Sequence, residues 1–261
     1  MSTGHSATTT VVPNRPLTLK LARTYFAVVA AIGTAAVLAE LAIAANRGGV
    51  ESMVSSLSEM TYWSNILVAV VGWALVINPQ RDGRVFRWLR LSSLVLISVV
   101  GLVYPLLLAA KNNPTGYEVY TNLAVHYIIP WATVLGWLVF GPRPRFTLRT
   151  LAFMPILPIL YTSYAMLYGA VLNPTGKYPY QFLDPSINGA GQVTMTIVMI
   201  MLTGLVFGFI YWGIDRALSK GTKPTKLGDN AVPEQLDASN AADAAGVADV
   251  DVTTNRIAEK V

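Results

Sequence analysis

Two stretches of this chain hold side chains whose types and spacing could do chemistry. Thr61, Ser64 and Asn65 stand at i, i+3 and i+4, so a helix would carry them on one face. The run Tyr120-Thr121-Asn122-Leu123-Ala124-Val125-His126-Tyr127-Ile128-Ile129-Pro130-Trp131 opens a long apolar segment and holds the one histidine besides His5. A hydroxyl paired with an imidazole is an activated nucleophile and its base. An ionisable group within an apolar span marks a functional site by default. The plainer alternative is that His126 hydrogen-bonds a neighbouring helix, and that the hydroxyls and amide join helices or bond their own preceding turn.

Composition narrows what these groups could belong to. Of 261 residues, 53% are hydrophobic and 13% charged, and mean hydropathy is +0.48. That is too apolar for a domain whose whole surface faces water, and implies an integral membrane protein. With no Cys, disulfides, thiolate nucleophiles and thiolate metal sites are excluded, and two His make a zinc cluster improbable. Neither metal nor cofactor is expected. Catalysis would have to use hydroxyls, carboxylates, amides and one imidazole. The GxSxG elbow, the HExxH helix and the phosphate loop do not occur.

An all-α bundle of six transmembrane helices must position these residues. The pattern predicts spans at about 24–45, 57–78, 91–110, 120–140, 150–172 and 192–211, within a membrane domain at 17–219. The first, about 33 Å long at 1.5 Å per residue, is long enough to cross. Residues 1–16 and the acidic tail 220–261 are expected to be disordered, because neither can bury enough apolar surface. Ser56 and Glu59 form the S-x-x-E pattern of a capping box, predicting a helix start near Leu57. The link 80–90 reads as a loop with a short basic surface helix. Gly204 and Gly208 make a GxxxG match in the sixth span.

Basic residues mark one membrane face instead of a nucleic-acid partner. The N-terminal flank, the second and fourth loops and the C-terminal flank together hold fourteen Lys and Arg; the opposite face holds Arg47, Lys111 and Lys177. Both termini are therefore expected on the cytoplasmic side of the cell membrane. Residues 104–116 and 164–176 match at seven of thirteen positions, including Asn-Pro-Thr-Gly, which is either a parallel repeat or coincidence in an apolar background.

This topology places Thr61 and His126 at matching depth, each roughly 7.5 to 9 Å in from the outer face. Glu40 stands near that level on the first span, either functional or snorkelling to the interface, and Tyr180 and Asp184 lie just above. Asn122, Glu40 and Asp184 are candidates by position to orient the imidazole. Asn65 is the candidate oxyanion donor.

The motifs Met60-Thr61-Tyr62-Trp63-Ser64-Asn65, His126-Tyr127-Ile128-Ile129-Pro130 and Tyr178-Pro179-Tyr180-Gln181-Phe182-Leu183-Asp184 resemble those of six-helix bacterial membrane proteins related to the androgen-inducible, FAR-type integral membrane proteins of animals. The resemblance covers about residues 20–215. The animal members look like hydrolases of fatty acid esters of hydroxy fatty acids, with an intramembrane Thr nucleophile and a His. The resemblance implies a lipid-ester hydrolase with Thr61 as nucleophile and His126 as base, and membrane lipids as surroundings and substrate. Ser64, one turn along the same face, aligns as the alternative hydroxyl. The other readings are a small solute or proton transporter relaying through His126, Glu40 and Asp184, and a scaffold without chemistry.

Overall fold

The computed structural model describes residues 16–219; the tail 220–261 and, apart from Pro16, the N-terminal segment 1–16 lie outside them. The described residues are helical, without a strand, and include six helices long and apolar enough to cross a membrane. These are α1 (Pro16–Leu57), α2 (Met60–Ile77), α3 (Arg84–Lys111), α4 (Glu118–Phe140), α5 (Leu148–Leu172) and α6 (Ala190–Ser219). This is the architecture of a multi-pass membrane protein.

The third helix is the hub. Leu91 to Gly101 is buried on every side, as expected of a helix apolar all round, and α3 touches α2, α4, α5 and α6. Its lower half packs with Trp137, Phe146, Met154 and Tyr211. Ile97 meets Val29, Val68 and Ile129 at mid-height. By contrast α6 buries little of its surface; Gly204 and Gly208 face α3 and α5, where a methyl on Gly208 would meet Met154 and Leu151.

Several boundaries differ from those the sequence predicts. The first helix does not stop at Ala45: Gly48 and Gly49 only kink it, Gly49 at a φ of 62° that suits a residue without Cβ. Helix then resumes to Leu57, so Ser56 lies in the last turn of α1 and Glu59 precedes α2 without a side-chain capping bond. The Ser56–Glu59 capping box is therefore absent; Thr147 and Thr150 form one at the start of α5. No separate surface helix follows Gln80, because Arg84 already opens α3.

Three π-helical turns interrupt the ladders, at Tyr104–Leu108, Ala124–Ile128 and Tyr168–Leu172. Such turns concentrate at functional sites, and the second contains His126. Its cause is legible in Pro130, which has no N–H to donate. The N–H of Ile129 reaches back to Ala124, so in that shifted register the carbonyl lacking a donor is that of Val125. Asn65 Nδ2 supplies it at 3.2 Å. The two copies of Asn-Pro-Thr-Gly make matching turns, with Gly116 and Gly176 at φ of 58° and 67°.

Candidate active site

The π turn points the His126 ring across the bundle to α2. Its Nε2 lies 3.2 Å from Thr61 Oγ1, with both residues buried. The other ring nitrogen, Nδ1, is 3.2 Å from the carbonyl oxygen of Asn122, one turn earlier. A carbonyl can only accept, so in the neutral ring Nδ1 carries the proton and Nε2 offers its lone pair to the threonine hydroxyl. That is the tautomer a general base requires. The Tyr104 ring stacks on the imidazole with centroids 3.6 Å apart and planes 15° from parallel. Asn112 donates to the Tyr104 hydroxyl at 2.9 Å, which holds the ring at that angle.

Two cavities meet at this pair. One is an apolar cleft of about 620 Å³ between α3, α5, α6 and the loop before α6, lined by Val100, Tyr104, Tyr161, Tyr180, Leu183 and Ile197 among others. The second is a polar cleft of about 710 Å³ lined by His126, Glu40, Glu59, Asn112, Asn122 and the Arg47–Glu118 ion pair. Thr61 lines both. Tyr104 walls the first and His126 the second, so their stacked rings stand in the partition.

The remaining sequence candidates divide sharply. Ser64 is fully buried, donates to the carbonyl of Thr61 at 3.0 Å and lines neither cleft. Asn65 does not stand as an oxyanion donor: its Nδ2 donates to Thr61 O at 2.8 Å and Val125 O at 3.2 Å, and it too lines neither cleft. It ties the backbone of Thr61 to that of His126's neighbour, while its Oδ1 is buried without a partner. Asn122 orients the imidazole through its carbonyl, not its side-chain amide. Glu40 accepts from Tyr62 at 3.3 Å and from Thr121, and does not reach the ring. Asp184 is not at the site: it caps the short helix Pro185–Asn188, accepting from Ser186 N at 2.8 Å. The Ser186 hydroxyl, donating to the same carboxylate oxygen at 2.6 Å, holds its carboxyl below the ordinary range. Tyr180, by contrast, is carried inward by its loop until its hydroxyl faces Thr61, and burial there raises its phenol well above the ordinary value.

Two groups of the site escaped the sequence. Tyr104 had only its place at the head of the repeated segment beside Pro105 to signal it. Glu59, assigned to a cap, instead lines the polar cleft, where burial first and the Glu40 carboxylate second push its carboxyl up to about 8. No group of three or more His, Asp or Glu among the described residues is placed to hold a metal ion. No protein-family model matches this chain, and neither a curated protein nor a solved structure matches it significantly. The site is therefore read from its own geometry.

Proposed function

We propose that the protein is a lipid-ester hydrolase of the cell membrane, related to the FAR-type family its motifs resemble, with Thr61 as nucleophile and His126 as general base. The observation that carries this is the position of the Thr61–His126 contact, where an apolar cleft meets a polar one. An ester of a lipid has the same division: an acyl chain that partitions into hydrocarbon, and a hydrolysis step that needs water.

In the first half-reaction Thr61 Oγ1 adds to the ester carbonyl and His126 Nε2 takes its proton. The tetrahedral intermediate collapses by breaking the bond to the leaving alcohol, which receives that proton. The acyl group is then on Thr61. Water from the polar cleft gives a proton to His126, adds to the acyl carbonyl and releases the fatty acid, and the proton returns to Thr61. The Tyr180 hydroxyl, facing Thr61, is placed to donate to the oxyanion. The acyl chain would arrive from lipid through the groove between α3 and α6, lined by Leu106, Met195 and Met199, which shares Val103 and Ile200 with the apolar cleft.

Transport is the weaker reading. Glu40, Glu59 and His126 line one end, and beneath them Val29, Val68, Ile97 and Ile129 close the bundle with hydrocarbon. A relay would need polar groups to continue there. The basic asymmetry of the loops supports an orientation with both termini in the cytoplasm and the polar cleft outside. Single Cys residues at Gly116 and Asn188 should then react with an impermeant maleimide on whole cells, and reaction only after lysis reverses the orientation. A fluorophosphonate probe on isolated membranes tests the chemistry: covalent labelling lost in Thr61→Ala supports the hydrolase, and labelling that persists in it rejects Thr61 as the nucleophile.

A further inference from the structure

At the end of the bundle away from Thr61, the first turns of α3 and α5 frame an open cleft. Its rim is basic: Arg84 opens α3, Arg87 stands one turn on, and Arg149 is the second residue of α5. Its floor is apolar, made by Trp88, Phe153 and Ile156. About 590 Å³ of the cleft is open to water-sized groups, within the range of ligand sites.

The other charges at this end are matched inside the protein. Asp82 takes Arg87 and Arg145, and Asp215 stands beside Arg90. Arg84 and Arg149 are exposed, and neither has a hydrogen bond or a carboxylate partner among the described residues. No carboxylate lines the cleft, and its two hydroxyls, Thr147 and Thr150, bond to each other. Two guanidinium groups are therefore open to an anion.

The depth of the floor says which anion. Phe153 and Ile156 follow Arg149 by four and seven residues, so the apolar floor runs from about 6 to about 10 Å deeper into the bundle than the charge. Val85, Phe153 and Ile156 are exposed, which makes this floor continuous with the lipid-facing surface. Trp88 joins the two helices there, its Nε1 donating to Phe153 O at 2.8 Å, and a ring of this kind suits the headgroup level. Cations above a hydrocarbon face complement a phosphate above an acyl chain. A dissolved anion would leave the floor bare.

We propose that this cleft binds an anionic phospholipid, its phosphate between Arg84 and Arg149 and an acyl chain along Phe153 and Ile156. Arg suits the head, because its planar fork offers a phosphate two parallel N–H donors, and basic pockets between transmembrane helices hold such heads. Phosphatidylcholine would bring a cation of its own to a rim that already has three. The inference is independent of the hydrolase reading, since Thr61 does not line this cleft.

The test is native mass spectrometry of the purified full chain in detergent, titrated with phosphatidylglycerol or phosphatidylcholine of the same acyl chains. One phosphatidylglycerol should be held at least tenfold more tightly than phosphatidylcholine, and Arg84→Gln with Arg149→Gln should bring it to the phosphatidylcholine level. Each single change should weaken it severalfold, which decides the matter if the double variant does not fold. Arg81→Gln with Arg216→Gln removes the same charge from residues that do not line the cleft, and should leave binding unchanged. Equal loss in the two double variants, or equal binding of the two lipids, overturns the site. Neither glycerol 3-phosphate nor a peptide of residues 220–261 should displace the lipid; displacement by the first reduces the site to one for a small anion, and by the second assigns the cleft to the acidic tail.

Discussion

The two ends of the bundle treat their polar groups in opposite ways. Around Asp82 and Asp215 the charges serve structure: Asp82 binds Arg87 through two bonds of 2.6 Å and also Arg145, and its carboxyl is held down at about 2, chiefly by Arg87. Asp215 fastens the α4–α5 loop to α6, and the large side chains of Trp137, Phe146, Met154 and Tyr211 fill the space beneath. Around Thr61 the polar groups surround space. Glu40, Glu59, Asn112 and His126 line a cleft, a second cleft adjoins it, and two π turns, at Tyr104–Leu108 and Ala124–Ile128, bend the helices that frame them. A membrane bundle can close one end by packing and keep polar groups around open space at the other, where burying them in an apolar bundle costs stability.

That contrast can be broken first at the packed end. Asp215→Ala would strip the acceptor from two buried N–H groups and the negative charge from beside Arg90, and should cost about 3–5 kcal/mol. The expected outcome is little folded protein in detergent by size exclusion. A normal yield and unchanged melting temperature would show that the α4–α5 loop is not held there.

At the open end substitutions should cost less stability and more activity. Gly101 of α3 lies against Pro130, and a Cβ there would come within 2.8 Å of the proline's. Gly101→Val should push α3 from α4 just below His126, losing about 1–3 kcal/mol by overpacking. Ester hydrolysis should fall at least tenfold, because a displacement of even 1 Å at a reacting pair is felt. A variant that melts lower but hydrolyses normally would separate the packing from the site.

The contrast also shows in pH dependence. The Glu59 carboxyl, raised to about 8, keeps its proton in the folded state over a range where the unfolded chain, near 4.3, has lost it. Native protein binds more protons, so stability falls as pH rises from about 5 to 8. The melting temperature should decline across that window, and Glu59→Gln should flatten the decline. A wild-type profile that rises instead would mean that Glu59 is ionised in the fold.

How far the sequence carried this picture follows from which forces are local. Six apolar segments and the Thr61–Ser64–Asn65 face are written in hydropathy and spacing, but the equal depth of Thr61 and His126 rests on a count from a helix start at Ser56 that the fold does not have; the helices start at Met60 and Glu118, and packing brings the two side chains together. The Ser56–Glu59 capping box misled because the pattern fits the end of one helix as well as the start of the next when two residues separate them. The work of Asn65 was hidden, since it depends on a register shift at Pro130, sixty-five positions away. Tyr104 and Glu59 were hidden for the same reason: their positions at the site are set by tertiary packing, which hydropathy does not record.

The measurement that bears most directly on the site is hydrolysis of a lipid ester by purified wild type, Thr61→Ala, His126→Ala and the double variant, each first shown to melt as the wild type does. If the two residues act as a unit, either single change should remove nearly all activity, and the double should lose little more. Ser64→Ala should be mild, because its hydroxyl is bonded to Thr61 O and lines neither cleft. Activity retained in Thr61→Ala, or losses that simply multiply in the double variant, would contradict a Thr61–His126 dyad.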